Sequence, residues 1–218
     1  AAVNGCRMHL LQDDIMPRID TVVFDIGNVL IPWNPRWLFS RLLPDEAAID
    51  RFFAETDFIA WNAAHDAGQR FADGVAEASA RFPHYAHLFT SFVEHWEETI
   101  AAPIQGSVDL AKQLRAAGYR TLALTNFSAE TFPRAVRLNP FLEEFEGIVV
   151  SGAEKLIKPD PAIYRLLCER HAVAPERAAF IDDSLHNVDG ARAIGMHAIH
   201  FHSAEQTRLD LAALGIRL

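Results

Sequence analysis

Residues 21–33, TVVFDIGNVLIPW, carry the clearest structural signal in the chain. The first four of these residues are β-branched or aromatic and predict a buried strand. The strand ends at one carboxylate, Asp25, and Gly27 and Asn28 follow it in the manner of a tight turn. This stretch therefore places a charged group where a buried strand stops.

From residue 106 onward, strand-like and helix-like segments alternate along the chain. Strands are predicted at RTLALTN (120–126), GIVVSG (147–152), AAFIDD (178–183) and HAIHF (197–201), and helices at residues 106–119, 128–145, 160–172 and 187–195. Such alternation is typical of a mostly parallel sheet with helices on both faces. We therefore predict a Rossmann-like α/β core.

Residues 34–102 break this alternation, because they contain helix-like stretches and no convincing strand. The stretches are RWLFSRLL (36–43), DEAAIDRFFAE (45–55), FADGVAEASARF (71–82) and HLFTSFVEHWEETI (87–100). An all-helical insertion after the first strand is the economical interpretation. The predicted domains are a core formed by residues 16–32 and 103–218, a helical domain at 33–102, and a disordered or tag-like extension at 1–15.

Composition excludes several classes of protein. The 218 residues carry a net charge of −9, which argues against a broad nucleic-acid surface. Apolar runs are far shorter than the ~20 residues of a membrane span, and residues 1–15 lack the features of a secretory signal. Cys6 and Cys168 give neither a disulfide framework nor a metal-ligand spacing. We therefore expect a cytoplasmic protein that binds neither nucleic acid nor membrane; the sequence leaves a monomer and a homodimer both open.

Polar residues follow the predicted strands at the edge where parallel sheets bind ligands. The first strand ends in Asp25, the second in Thr125 and Asn126, the third leads to Lys158, and the fourth ends in Asp182 and Asp183. Three carboxylates at one rim resist ionisation unless cations compensate them. Lys158 supplies one positive charge, and Mg²⁺, which prefers oxygen ligands, is the cofactor that this cluster predicts.

A magnesium ion with two or three protein ligands keeps positions open for a phosphate-bearing substrate. Thr125 and Asn126 offer a hydroxyl and an amide donor for that phosphate, and backbone N–H groups around Gly27 can add further donors. Such a site can stabilise phosphoryl transfer by positioning and electrostatics.

Four segments in order resemble the motifs of the haloacid dehalogenase-like (HAD) hydrolase superfamily. They are VVFDIGNVL (22–30), LALTNFS (122–128), KLIKPDPAIY (155–164) and FIDDSLHNVDGARAIGMHAIHF (180–201). The helical insertion between the first two motifs resembles the C1-type cap of the small-molecule phosphatases in that superfamily. The resemblance implies a Mg²⁺-dependent hydrolase of a small phosphorylated metabolite.

The resemblance also implies roles for individual residues. Asp25 is expected to be the nucleophile that forms an aspartyl-phosphate, with Lys158 as its charge-neutralising partner. Thr125 and Asn126 are expected to bind phosphate. Asp183 is the expected main metal ligand of the fourth motif, beside Asp182, and the metal set is completed by Asp25 and the backbone carbonyl of Gly27. Asn28 is a candidate to support the turn and the phosphate, and Asn187 is expected to act indirectly at the metal.

One departure from the superfamily pattern concerns proton transfer. Most of its phosphatases carry a second aspartate, two positions after the nucleophile, as general acid and base, whereas this chain has Gly27. Without a general acid and base, the rate of hydrolysis falls by ~10² to 10⁴ unless another group replaces it. The variant Asp-x-Gly-Asn-Val resembles a phosphatase branch that includes a glucose-1-phosphate phosphatase. Because an anomeric oxygen leaves more readily than an ordinary alcohol, we expect glycosyl phosphates to be hydrolysed faster than primary-alcohol phosphates.

Two other functions remain open from the sequence. A 2-haloacid dehalogenase uses the same aspartate without a metal and also lacks the second aspartate, but the paired Asp182 and Asp183 favour a phosphatase. A HAD-fold protein retained for binding or regulation would explain the missing general acid. The intact cluster of Asp25, Lys158 and paired acids argues against this third possibility.

The stretch WNAAHDAGQRF (61–71) has the most site-like composition in the insertion. Asp66 and Gly68 indicate a tight turn, and by resemblance a cap loop of this kind contributes to substrate choice, so Asp66 is a candidate substrate-binding residue. Packing of the stretch inside the insertion is the equal alternative. Trp33 and Trp37 are interpreted as packing residues, and His200 and His202 as ordinary strand residues.

Overall fold

The structure, a computed structural model, describes residues 18–218. Five strands form one sheet in which every neighbouring pair is parallel, in the order β3-β2-β1-β4-β5. The strands are β1 (Thr21–Phe24), β2 (Arg120–Thr125), β3 (Gly147–Val150), β4 (Ala178–Asp182) and β5 (His197–His200). The predicted Rossmann-like α/β fold is confirmed, and β1 lies at the centre of the sheet.

Helices fill the connections between these strands, and one more follows the last strand. They are α1 (Arg36–Leu42), α2 (Glu46–Thr56), α3 (Phe58–Asp66), α4 (Phe71–Arg81), α5 (Ala86–Glu94), α6 (Gln105–Ala116), α7 (Phe132–Leu138), α8 (Ser151–Glu154), α9 (Pro161–His171), α10 (Leu185–Ala193) and α11 (Ala204–Ala213). Short 3₁₀ helices cover Pro83–Tyr85, Trp96–Thr99, Pro140–Glu144 and Pro175–Arg177. None of the helices in residues 18–218 is both long and apolar enough to cross a membrane.

Alternation along β1 divides the core between the two faces of the sheet, as the two-residue period of a strand requires. Val22 and Phe24 pack on one face with α6 and α11, whereas Val23 packs on the other with α9 and α10. Because both faces are covered, the whole of β1 is buried. A charged side chain directly after this strand can therefore reach solvent only at the sheet edge.

The segment between β1 and α6 forms its own apolar cluster. The cluster is rich in aromatic side chains, which are Phe39, Phe52, Phe58, Phe71, Phe89, Phe92 and Trp96. Where the segment leaves and rejoins the sheet, Trp33 and Ile100 form an antiparallel bridge, and Ala101 N donates to the Pro32 carbonyl at 3.2 Å. The helical insertion is thus closed at its base by paired backbone.

Three α-helices of residues 18–218 were not predicted, α3, α8 and α11; the strand predicted at 147–152 ends at Val150, and α8 begins at Ser151. In α3, Phe58, Trp61 and His65 follow helical spacing. Asp66 and Gly68 are typical of a tight turn, and a turn rather than a helix is therefore predicted for this stretch. In α11, the Ser203 hydroxyl accepts a hydrogen bond from Gln206 N, which is a capping arrangement readable from the sequence. The predicted extension at residues 1–15 and Cys6 lie outside the described residues, while Cys168 is buried in α9.

Candidate active site

The carboxyl ends of β1, β2 and β4 meet at one edge because their registers are level. Phe24 pairs with Ala123 of β2 on one side and with Ile181 of β4 on the other. Asp25 follows β1 directly, Thr125 closes β2, and Asp182 closes β4. The residues that the sequence placed at four strand ends are therefore brought together at this edge.

Lys158 joins two of the carboxylates. Its Nζ lies 2.9 Å from Asp25 Oδ1 and 2.6 Å from Asp182 Oδ2, and the side chain is fully buried. Burial alone would lower the pKa of Lys158, but the charges of Asp25 and Asp182 and hydrogen bonds to both outweigh it and raise the pKa. The lysine is therefore held as a cation between the two acids.

Asn126 positions Lys158 through the lysine backbone. Its Nδ2 donates to the Lys158 carbonyl oxygen at 3.0 Å, and its Oδ1 accepts from Lys158 N at 2.8 Å. The sequence predicts that this amide binds phosphate. In the structure the amide instead forms both of these hydrogen bonds with the backbone of Lys158. Asn126 also lines the cavity described below.

Asp182 and Asp183 have different surroundings. Besides Lys158, Asp182 accepts hydrogen bonds from Ser184 N at 2.8 Å and from Asn187 Nδ2 at 3.0 and 3.2 Å, so its oxygens are well occupied. Asp183 is partly exposed and lines the cavity. Burial and the charge of Asp182 raise the pKa of Asp183, against hydrogen bonding from Asn28 and the charge of Lys158.

Asp25 is oriented by two donors on one oxygen. Asp25 Oδ1 accepts from Ile26 N at 2.7 Å as well as from Lys158, which leaves Oδ2 free of both. Burial raises the pKa of Asp25 to about 7, since it outweighs the attraction of Lys158 and is reinforced by the charges of Asp182 and Asp183.

The acidic cluster fits a hard divalent cation. Asp25, Asp182 and Asp183 each offer an oxygen, and these atoms lie within 4.8 Å of one another. When ionised, the three carboxylates exceed the charge of Lys158 by two, which a divalent ion would balance. The donor set is the one that Mg²⁺ prefers.

Thr125 supplies a second sign of ligand binding. Its Oγ1 is buried and has no hydrogen-bond partner among residues 18–218. Buried hydroxyls in proteins are nearly always paired, so an unpaired hydroxyl at the end of β2 is suited to an oxygen of a bound substrate.

The turn after Asp25 is built differently from the sequence interpretation. Asn28, rather than Gly27, takes the left-handed conformation, with φ of 54°. Asn28 N donates to the Ile31 carbonyl at 2.8 Å, and Asn28 Oδ1 accepts from Trp33 N at 2.9 Å. A Cβ added at Gly27 would meet no atom of residues 18–218 within 4 Å, so within the described structure the position is open rather than crowded.

A cavity of about 180 Å³ lies between the sheet edge and the insertion; Asp25 and Asp183 line it, whereas Thr125, Lys158 and Asp182 are not among its described lining residues. The sheet side contributes Asp25, Gly27, Asn28, Asn126, Phe127, Ser128, Thr131 and Asp183, and the remaining wall is formed by Trp33, Asn62, Asp66, Phe71 and Trp96. Trp33, interpreted from sequence as a packing residue, therefore lines the cavity because the turn at Asn28 directs it there. Trp37 is 41% exposed and lies on the surface of α1.

The last turn of α3 brings two polar side chains to this cavity. Asn62 and Asp66 share one face of the helix, and Asn62 Nδ2 donates to Asp66 Oδ2 at 3.1 Å. Burial raises the pKa of Asp66 to about 7, against a hydrogen bond from the Ser128 backbone. His65 points away, fully buried between Trp61 and Phe71, so the polar stretch 61–71 divides between cavity and core.

Sequence reasoning did not single out four cavity residues, Phe127, Ser128, Thr131 and Trp96. Phe127 and Ser128 follow Thr125 and Asn126 directly, which is a usable signal. Thr131 directly precedes α7 and Trp96 lies in a short 3₁₀ helix of the insertion, and the packing of these two cannot be read from local sequence. His200, interpreted as ordinary, has Nε2 2.9 Å from the Asp183 carbonyl oxygen and supports the loop that carries Asp183.

The family model of haloacid dehalogenase-like hydrolases matches residues 19–195. The chain belongs to this family. A HAD-like hydrolase of similar fold is the HAD family enzyme bt-2542 of Bacteroides thetaiotaomicron, with a TM-score of 0.72, 20% identity, and coverage of 92% of this chain and 100% of that one. That enzyme has also been solved in complex with magnesium and inorganic phosphate.

Curated relatives of this HAD-like hydrolase differ in activity. Acyl-CoA dehydrogenase family member 10 of Mus musculus is 28% identical over 88% of this chain, which spans only 19% of that protein. Sesquiterpene phosphatase astK of Aspergillus oryzae is 25% identical, with 88% of this chain and 94% of that protein covered. (S)-2-haloacid dehalogenase 1 of a Pseudomonas species is 29% identical over 41% of this chain and 39% of that protein.

Proposed function

We propose that this hydrolase is a Mg²⁺-dependent phosphomonoester hydrolase that acts on a small phosphorylated metabolite through an aspartyl-phosphate on Asp25. The observation that carries the proposal is the acidic cluster of Asp25, Asp182 and Asp183, whose oxygens lie within 4.8 Å of one another. A phosphatase relative that matches along most of its length supports the same reaction class.

The chain's own residues account for the first chemical step. Asp25 Oδ1 is held by Ile26 N and Lys158, so Oδ2 is the oxygen that attacks phosphorus. Lys158 lies beside the attacking carboxylate and stabilises negative charge that develops there. Thr125 Oγ1, which has no partner in the described part of the chain, donates to a phosphate oxygen. The alcohol then leaves, and water attacks the phosphorus of the aspartyl-phosphate.

Asp25, Asp183 and the Gly27 carbonyl would hold the metal, with Asp182 anchoring Lys158 beside them. Bound Mg²⁺ supplies two positive charges that favour the ionised carboxylates and the charge of the transferred phosphoryl group.

The helical insertion, residues 33–102, acts as a cap in this proposal. Its Trp33, Phe71 and Trp96 form an apolar wall across from Asp25, and such a wall excludes bulk water from the reacting phosphate. The cavity volume of about 180 Å³ restricts the leaving group to a small molecule. Aromatic faces accept the apolar face of a sugar ring, so glycosyl phosphates are the substrate class that we propose.

Dehalogenation of a 2-haloacid is the second candidate. It is favoured by the absence of a carboxylate at Gly27 and by the dehalogenase relative. The reaction would use Asp25 to displace halide and would need neither Mg²⁺ nor Asp183.

A substrate screen separates these functions. Phosphorylated metabolites and 2-chloropropionate are each incubated with the protein, with and without Mg²⁺, beside Asp25→Asn. We expect phosphate release that requires both Mg²⁺ and Asp25, with glycosyl phosphates faster than primary-alcohol phosphates. Halide release without metal would select the dehalogenase, and inactivity toward both classes would select a binding protein.

Metal binding can be measured without turnover. Ligand at 100 times its Kd stabilises a folded protein by about 2.7 kcal/mol, so Mg²⁺ should raise the melting temperature. Asp183→Asn should reduce that rise, whereas Asp73→Asn, an exposed acid of α4, should retain it. An equal rise in both variants would place the ion elsewhere.

A further inference from the structure

Phosphoester hydrolysis at Asp25 requires a group that moves protons, and Gly27 cannot be that group. The leaving alcohol must gain a proton, and the attacking water must lose one. Among the cavity-lining residues, the titratable side chains are Asp25, Asp66 and Asp183. Asp25 is the nucleophile and Asp183 belongs to the acidic cluster, which leaves Asp66.

We propose that Asp66, supplied by the last turn of α3, is the general acid and base of this hydrolase. This role of Asp66 rests on the proposed phosphatase function, and it fills the proton-transfer step to which sequence analysis assigns no residue. Asp66 lines the cavity together with Asp25 and Gly27.

The backbone fixes Asp66 over the end of β2. The Ser151 hydroxyl donates to the Asp66 carbonyl oxygen and in turn accepts from Phe127 N at 2.9 Å. The Asp66 carboxyl accepts from the Ser128 backbone, two residues beyond Asn126. The end of α3 is thereby tied to the loop that begins at Thr125.

Glycine makes this docking possible. Gly68 has φ of +101°, and a Cβ there would lie 2.9 Å from Lys155 Cγ and 3.1 Å from the Gly152 carbonyl oxygen. A side chain at residue 68 would push the end of α3 away from α8 and the loop after β2. The close approach holds the Asp66 carboxyl in the cavity.

The surroundings of Asp66 suit a group that both gives and takes a proton. The neighbouring charged groups are Asp25 and Asp183 in the same cavity, Lys155 against Gly68, and Glu130, which accepts from Phe71 N at 2.9 Å. Burial is the dominant influence on the carboxyl and raises its pKa to about 7. A group that titrates near neutral pH is efficient in both directions of proton transfer.

The proton balance closes over the two steps. As Asp25 Oδ2 forms its bond to phosphorus and the ester P–O bond breaks, the Asp66 carboxyl gives its proton to the departing oxygen. Water then attacks the aspartyl-phosphate, its proton passes to the Asp66 carboxylate, and the bond between phosphorus and Asp25 breaks. Inorganic phosphate leaves, and both aspartates return to their initial states.

Leaving-group dependence tests this role. p-Nitrophenolate departs without protonation, whereas an alkoxide needs a proton to leave. The value of kcat/KM reports the steps up to and including departure of the leaving group from the substrate. Loss of the acid should therefore lower kcat/KM for the alkyl ester only. For Asp66→Asn we expect kcat/KM with an alkyl phosphate to fall by ~10² or more, with p-nitrophenyl phosphate staying near wild type. Asp73→Asn should leave both values unchanged.

The two substrates are compared within one preparation, so their ratio does not depend on the fraction of Asp66→Asn that is folded. An equal fall for both esters would overturn the role of Asp66 while leaving the phosphatase intact. If the wild-type protein with Mg²⁺ hydrolyses neither ester, the proposed function fails, and the role of Asp66 fails with it.

Discussion

Lys158 is the residue on which the charge balance of the site depends. Its Nζ contacts both Asp25 and Asp182 inside the protein, where an unpaired charge is costly. Lys158→Met keeps the apolar stem and removes the charge. Because it leaves two buried carboxylates unpaired, we expect the free energy of unfolding at pH 7 to fall by about 3 kcal/mol or more, measured by urea titration.

The matched control for this variant is Lys112→Met, which alters an exposed lysine of α6 and should have little effect. The loss in Lys158→Met should shrink at pH 5, because burial raises the pKa of Asp25 to about 7 and protonation relieves the repulsion. Equal stability of the two methionine variants would contradict the charge balance described here.

Gly27 is the position at which a second carboxyl group can be introduced next to the nucleophile. A Cβ there meets nothing within 4 Å, so Gly27→Asp should fold normally and present a carboxyl to the cavity. Introduced into Asp66→Asn, it should recover alkyl phosphate hydrolysis by roughly tenfold or more, since a new acid becomes available. Gly27→Asn in the same background has similar size but no acid, and identical kinetics of the two would argue against proton transfer as the missing function.

Sequence reasoning identified which residues meet at the sheet edge but not all of their partners. Parallel strands bring their carboxyl ends together, so Asp25, Thr125 and Asp182 could be placed without coordinates. The hydrogen bonds between Asn126 and the backbone of Lys158 could not be predicted from the sequence. They join residues 32 positions apart and depend on the path of the intervening chain.

At the scale of elements, α3 is a helix that the sequence analysis does not predict, although it carries Asn62 and Asp66 of the cavity wall. Its helical spacing was present in Phe58, Trp61 and His65, but the glycine two residues beyond its end indicated a turn. Both features are correct, since α3 ends at Asp66 and Gly68 then turns the chain. Which face of α3 meets the sheet follows from tertiary packing, and no local pattern specifies it.

Docking of α3 can be tested at Gly68. Gly68→Ala places a side chain at φ of +101° and against Lys155 and Gly152, so it should cost about 1–2 kcal/mol of stability and displace Asp66. Gly118→Ala has a similar φ of +87° with nothing within 4 Å, and it is the matched control. We expect the melting temperature to fall in both variants, further in Gly68→Ala because of its additional contacts, but kcat/KM to fall in Gly68→Ala alone. Kinetics that change equally in both would mean that the docking of α3 has no part in the reaction.

At the scale of the whole molecule, the helical insertion and the sheet are joined by polar and aromatic contacts around the cavity. Arg134 of α7 binds Glu97 and the Val93 carbonyl of the insertion, and the rings of Trp96 and Phe127 lie 5.3 Å apart. These contacts hold the two walls of the cavity together. An acid buried in that cavity, such as Asp66, therefore affects the stability of the folded protein as well as the proposed reaction.

The pH dependence of stability should reveal that link at Asp66. Burial raises its pKa from 3.8 to about 7 in the folded protein, so ionisation there opposes folding, and the cost grows as pH rises from 3.8 to about 7. Asp66→Asn removes this cost. Its melting temperature relative to wild type should therefore be higher at pH 8 than at pH 5, while Asp73→Asn should show no such trend. A difference for Asp66→Asn that is independent of pH would contradict the buried environment of the carboxyl.

The central claim is that Asp25 carries the phosphoryl group during turnover. The most direct measurement is acid quench of the protein during hydrolysis of a phosphomonoester with Mg²⁺, followed by peptide mass spectrometry. We predict one added phosphoryl group on the peptide that contains Asp25, absent without Mg²⁺ and absent in Asp25→Asn. Release of phosphate while that peptide stays unmodified at every quench time would contradict the account.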